Sequence, residues 1–106
     1  MEKTYFSTID ELGRVLIKKE LRNELSWPQG SALQLSLNEE TALFELKVAN
    51  DGNVELDPLS RVNIPKHLLD TFGLCPGDKI AMALAPNGLY LKPMYVVHLN
   101  VQLKDH

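Results

Sequence analysis

Apolar and polar residues alternate along most of this chain, interrupted by two short stretches at helical spacing. Residues 5–9 alternate, and beyond them Val15 and Ile17 fall on one side of a strand with Arg14 on the other. Leu21 and Leu25 then stand four apart, which predicts a short helix with one narrow apolar stripe. Leu33, Leu35 and Leu37 return to the two-residue period of a half-buried strand, and residues 42–48 read as a fourth strand. The same order then recurs. Arg61 opposes Val62 and Ile64, Leu68 and Phe72 mark a second helix, Ile80, Met82 and Leu84 alternate, and residues 89–92 form another strand. Tyr95, Val97, Leu99, Val101 and Leu103 predict one strand more.

Turn chemistry separates these elements. Asp10-Glu11-Leu12-Gly13 reads as a hairpin turn, because an Asp carboxylate accepts from the amides ahead of it and a Gly tolerates positive φ. The second spelling is Asp57-Pro58-Leu59-Ser60, with Pro58 presetting φ at the second turn position. Asn50-Asp51-Gly52-Asn53 also reads as a hairpin turn, and its shortness pins the segments on its two sides against each other. Pro65 suits the first turn of the second helix and Gly73 the position after its end.

Sliding the chain against itself by 47 residues aligns 10–46 with 57–93 without a gap. Nine positions are then identical, among them Asp10/Asp57, Leu12/Leu59, Arg14/Arg61, Val15/Val62 and Lys19/Lys66. The chain accordingly divides into a first half over residues 1–49, a second over 50–93 and a C-terminal strand over 94–106. About 45 residues with four short strands and a short helix bury too little apolar surface to offset chain entropy. The two copies must share a core, within one chain or by exchange between chains.

Composition narrows the functional classes. Fourteen acidic against eleven basic side chains give a net charge of −3 over 106 residues, which excludes a nucleic-acid binder working through bulk positive charge but not one with a local basic patch. The lone Cys75 forms no internal disulfide and no multi-thiolate zinc site, and reads as a small packing residue in a reducing, cytoplasmic setting. The first residues lack a signal peptide's apolar core, and no apolar run approaches the roughly 20 residues that span a bilayer. His67, His98 and His106 show no metal spacing with Cys75, so neither metal nor cofactor is expected. Without a nucleophile elbow, phosphate loop or Rossmann fingerprint, the chain does not read as an enzyme.

The run Ser7-Thr8-Ile9-Asp10-Glu11-Leu12-Gly13-Arg14-Val15-Leu16-Ile17, followed by Glu20-Leu21-Arg22, resembles the swapped-hairpin DNA-binding domain of the AbrB/SpoVT/MazE group. Gly73-Leu74-Cys75-Pro76-Gly77-Asp78-Lys79-Ile80 resembles the same family's stretch between helix and third strand. Two Asp-x-x-x-Arg motifs in one chain, Asp10 to Arg14 and Asp57 to Arg61, are similar to the duplication in MraZ-type regulators. The resemblance implies a mainly β fold with short helices, a tandem swapped-hairpin barrel of two internal repeats that often assembles further. It implies a transcriptional regulator that presents arginines from the second strand and helix to double-stranded DNA. Carried onto this chain, those are Arg14, Arg22 and Arg61, while Leu69 stands where the second copy would carry the counterpart of Arg22.

Residue chemistry bears on the same positions. A guanidinium forks onto phosphate oxygens or a guanine edge, which lysine does less specifically. Lys18, Lys19 and Arg22 form a basic cluster at the start of the first helix, with Lys18 and Arg22 on one side, and Lys66 matches Lys19 in the second copy. Asp10, Gly13 and Asp57 are read as turn formers. About four phosphates neutralised by Arg14, Arg22, Arg61 and Lys66 would give a log–log salt slope near −3 to −4. Two alternatives stay open: a MazE-type antitoxin gripping a toxin partner, and an oligomeric scaffold without DNA binding. The alternating C-terminal segment points to homo-oligomerisation.

Overall fold

The computed structural model describes residues 3–38, 40, 41 and 43–94; the strand expected over residues 95–103 lies outside the described residues. Those described form a mainly β fold whose order is β1 (Tyr5–Thr8), β2 (Arg14–Leu16), α1 (Lys19–Leu25), β3 (Ala32–Asn38), β4 (Leu43–Val48), β5 (Val54–Glu55), β6 (Arg61–Asn63), α2 (Lys66–Phe72), β7 (Lys79–Ala85) and β8 (Gly88–Met94). Adding 47 to the bounds of β2, α1 and β3 returns those of β6, α2 and β7. No helix among the described residues is long and apolar enough to cross a membrane.

Six strands make one curled half-barrel sheet in the order β1-β7-β8-β4-β3-β5, while β2 and β6 make a separate two-stranded ribbon. Both orders read as palindromes under the 47-residue spacing. Val15 pairs with Val62 at the centre of the ribbon, and Phe44 pairs with Leu91 in the middle of the sheet. Each of these residues meets its own counterpart, so a pseudo-twofold axis runs through both pairs.

Strand partners cross between the halves. β1 pairs with β7, β5 with β3, and β2 with β6. Each half keeps one ladder of its own, β3 with β4 and β7 with β8, while its other strands pair across, and the buried cluster draws on both, from Ile9, Val15 and Ile17 to Leu56, Val62, Ile80 and Leu91. Each fully buried Leu, Ile or Val side chain contributes about 1.5–3 kcal/mol of apolar burial. Seven-residue helices do not hold by themselves in water. α1 is docked by buried Leu21, and α2 leans on the cluster through Leu68, Leu69 and Phe72, whose ring meets Phe44 edge-on at 5.2 Å.

Three expectations change. The Asp10–Gly13 reversal closes tightly, with Gly13 N–H on the Asp10 carbonyl, yet β1 and β2 do not continue as a hairpin, because each finds its ladder in the other half. The joint at 50–53 is not a hairpin turn either. It carries the chain across the end of β3, so that β4 and β5 flank that strand on opposite sides. Asn53 secures the crossing: its amide side chain accepts from Leu35 N–H at 2.8 Å and donates to Leu35 C=O at 3.2 Å, standing in for a strand residue. Cys75 is exposed rather than packed: it stands in a surface turn, where its backbone N–H donates to the Asp78 carboxylate at 2.8 Å.

Candidate nucleic-acid interface

The ribbon builds the most ordered polar constellation among the described residues. Because side chains alternate across a strand, burying Val15 and Val62 turns Arg14, Leu16, Arg61 and Asn63 outward together. Register sets Arg14 opposite Asn63 and Arg61 opposite Leu16, so the two arginines are diagonal neighbours, about 7–8 Å apart by general ladder geometry.

One carboxylate organises each turn. Asp10 Oδ1 accepts from the amides of Leu12 and Arg14, both at 2.9 Å, while Oδ2 takes Arg14 Nε–H at 2.8 Å. Asp57 repeats the arrangement, with Leu59 N–H at 2.9 Å, Arg61 N–H at 2.8 Å and Arg61 Nε–H at 3.0 Å. Each Asp-x-x-x-Arg motif is thus a closed unit of turn and side chain. The guanidinium is fixed through Nε, and among the described residues no group bonds the Nη atoms of either arginine. Side-chain exposures of 24% for Arg14 and 26% for Arg61 leave that outer edge within reach of solvent.

These contacts hold both carboxyls below the usual Asp range. For Asp10 the amide of Arg14 does most; for Asp57 partial desolvation pushes upward, and the amide and guanidinium of Arg61 outweigh it. A folded-state pKa below the unfolded one means stability present above pH about 4 and lost as pH falls through the folded value. The Asp10→Asn/Asp57→Asn variant is therefore expected to be less stable than wild type at pH 7 and to show a flatter loss below pH 4. Urea midpoints measured from pH 7 to pH 2 check this; parallel acid limbs would contradict it.

The remaining basic residues have other partners or stand exposed. Arg22 turns inward, donating Nε–H to the Ile17 carbonyl and Nη1–H to Ser60 Oγ, both at 2.9 Å. Lys66 pairs with Asp70 at 3.0 Å and lines an open groove with Glu11, Gly13, Glu55 and Leu69. Lys18 stands half-buried at the residue before α1 with no side-chain bond to the helix start, and Lys19 is exposed beside it. The structure thus brings Arg14 and Arg61 together on the ribbon face and engages Arg22 and Lys66 in contacts of their own.

Two features escaped the sequence reading. Leu12 and Leu59, at the tips of the twin turns, are 67% and 64% exposed. Their identity in the two copies was visible, but a leucine inside a turn carries no signal of its own exposure. Ser7 is buried and donates its hydroxyl to the Leu16 carbonyl at 2.6 Å, tying β1 to β2.

The chain matches no family model, no curated protein and no solved structure.

Proposed function

We propose that the protein is a sequence-specific DNA-binding transcriptional regulator built as a tandem swapped-hairpin domain of the AbrB type. The observation that carries the reading is the pair Arg14 and Arg61, set on one face of the ribbon by twin carboxylate-braced turns. A two-stranded ribbon fits the major groove, and a guanidinium held by Nε offers its outer edge as a ready fork for guanine or phosphate. Each arginine is balanced by its aspartate, so the face attracts DNA weakly at long range and relies on directed contacts. With Arg22 and Lys66 engaged elsewhere, the salt slope expected for two remaining phosphate contacts is about −2.

Selection from a randomised duplex pool, followed by a salt titration of the selected duplex, tests the proposal. Arg14→Ala/Arg61→Ala is expected to weaken binding by about 30-fold or more, at about 1–3 kcal/mol per lost fork, with an unchanged circular dichroism spectrum. Failure to select any duplex, or binding insensitive to both substitutions, would sink it.

A second reading, a protein-binding or self-associating module, is favoured by the two exposed turn leucines, since apolar tips gain nothing from phosphate. Under it, Leu12→Ser/Leu59→Ser abolishes self-association in sedimentation runs; under the first reading sedimentation is unchanged.

A further inference from the structure

The two copies meet through turn-on-helix seams whose backbones are alike and whose side chains are not. Ile64 N–H bonds the Gly13 carbonyl at 2.9 Å, and Ile17 N–H bonds the Ser60 carbonyl at 2.9 Å. Gly13 and Ser60 hold matching places 47 residues apart, both at positive φ, +78° and +63°. Arg22 and Leu69 hold matching places on α1 and α2. Where the first turn meets α2, a Cβ on Gly13 would lie 2.8 Å from Leu69 Cδ1, so the bare glycine is what admits the leucine. Where the second turn meets α1, buried Ser60 presents its hydroxyl to Arg22 Nη1 at 2.9 Å. One seam is apolar and closed by an absent side chain; the other is polar and closed by a hydrogen bond.

We infer that these unlike contacts key the copies to each other, so that the first copy closes on the second and pairing of like copies between chains is penalised. The backbone cannot make this choice, because it offers the same bonds in either pairing. The side chains do. A pair of first copies would set Arg22 against Gly13, leaving the guanidinium without the hydroxyl it bonds here. A pair of second copies would force the Ser60 Cβ against Leu69. An interleaved fold is exposed to exchange between chains wherever two like halves fit, and a mismatch at the seam opposes it. The absence of an arginine at Leu69 is explained by this packing, since Leu69 answers Gly13 as Arg22 answers Ser60.

Single substitutions recreate each like-with-like seam inside the intact chain, which keeps the test free of half-proteins. Gly13→Ser sets a serine against Leu69, and Leu69→Arg sets an arginine against Gly13. Each is expected to lower Tm by about 5–10 °C, the scale of a modest overpacking or lost-partner effect in a domain of this size; for Gly13→Ser part of that loss is left-handed backbone strain at φ +78°, which the second substitution leaves in place. The double variant Gly13→Ser/Leu69→Arg rebuilds the polar seam of the other half and is expected to recover at least half of the summed loss. A double variant whose loss equals the sum of the two singles overturns the inference. The reciprocal cycle, Ser60→Gly with Arg22→Leu, installs the apolar seam on the other side and decides the matter if no first-seam variant folds. Additive losses there overturn the inference equally, and recovery in the double supports it.

Discussion

Replacing Gly52 by valine is expected to abolish the fold, and replacing it by alanine to remove about 3 kcal/mol or more of stability. A Cβ at this position would stand 2.0 Å from the Leu33 carbonyl oxygen and 2.3 Å from its carbon. Those atoms belong to the backbone of β3, which is bonded to β4 on one side and β5 on the other, so they cannot swing aside as a side-chain tip would. Relief requires the joint to lift off β3. That would break the Asn53 amide contacts to Leu35 and the short β5 pairing at Leu33 and Val54, several hydrogen bonds at about 1 kcal/mol each. Against a total stability of about 5–15 kcal/mol, this is a large fraction. Gly30→Ala provides the contrast: its φ is +82° but nothing stands within 4 Å, so only the left-handed backbone penalty of about 1–2 kcal/mol applies. Urea denaturation of the two alanine variants should rank Gly52→Ala well below Gly30→Ala, and equal midpoints would disprove the steric account.

The same joint marks where sequence reading stops. Asp51-Gly52 between two alternating segments carries the local signature of a hairpin, and nothing nearby distinguishes it from a glycine reserved for crossing a strand. Alternation did locate the strands. Val15, Ile17, Val62 and Ile64 are buried as the two-residue period requires, as are Leu33, Leu35, Ile80 and Met82. The period states which face of a strand turns inward; it is silent on which strand lies alongside, so the exchange of β1 and β5 between halves is not in it. Charge spacing has a similar limit. Lys18 and Arg22 stand four apart and read as one cationic helix side, yet Arg22 is claimed by Ser60, 38 residues away. The trace of that contact was two coordinated departures from the repeat, Ser60 for Gly13 and Leu69 for Arg22, legible only once turn and helix are known to touch. The arginine face was more accessible: strand parity alone sets Arg14 and Arg61 opposite the buried valines, and the motif spacing anticipates the carboxylate braces.

Interleaving makes a second large effect spread across the molecule. Leu46 of β4 is fully buried opposite Leu89 of β8, where the two halves of the sheet are stitched together. Leu46→Ala is expected to remove about 3 kcal/mol, within the range of about 2–5 kcal/mol for a buried leucine whose surroundings relax only in part. That corresponds to a fall in Tm of about 10–20 °C. If the halves were independent, the loss would stay in the first half and thermal unfolding would split into two steps. Among the described residues β1 has its ladder only in β7 and β5 only in β3, so opening either half strips an edge from the other. The variant should therefore still unfold in one transition, and native-state hydrogen exchange should accelerate by the same factor in β3 and in β7. Retained slow exchange in β7 alongside fast exchange in β3 would show that the second half survives without the first, contrary to a shared core.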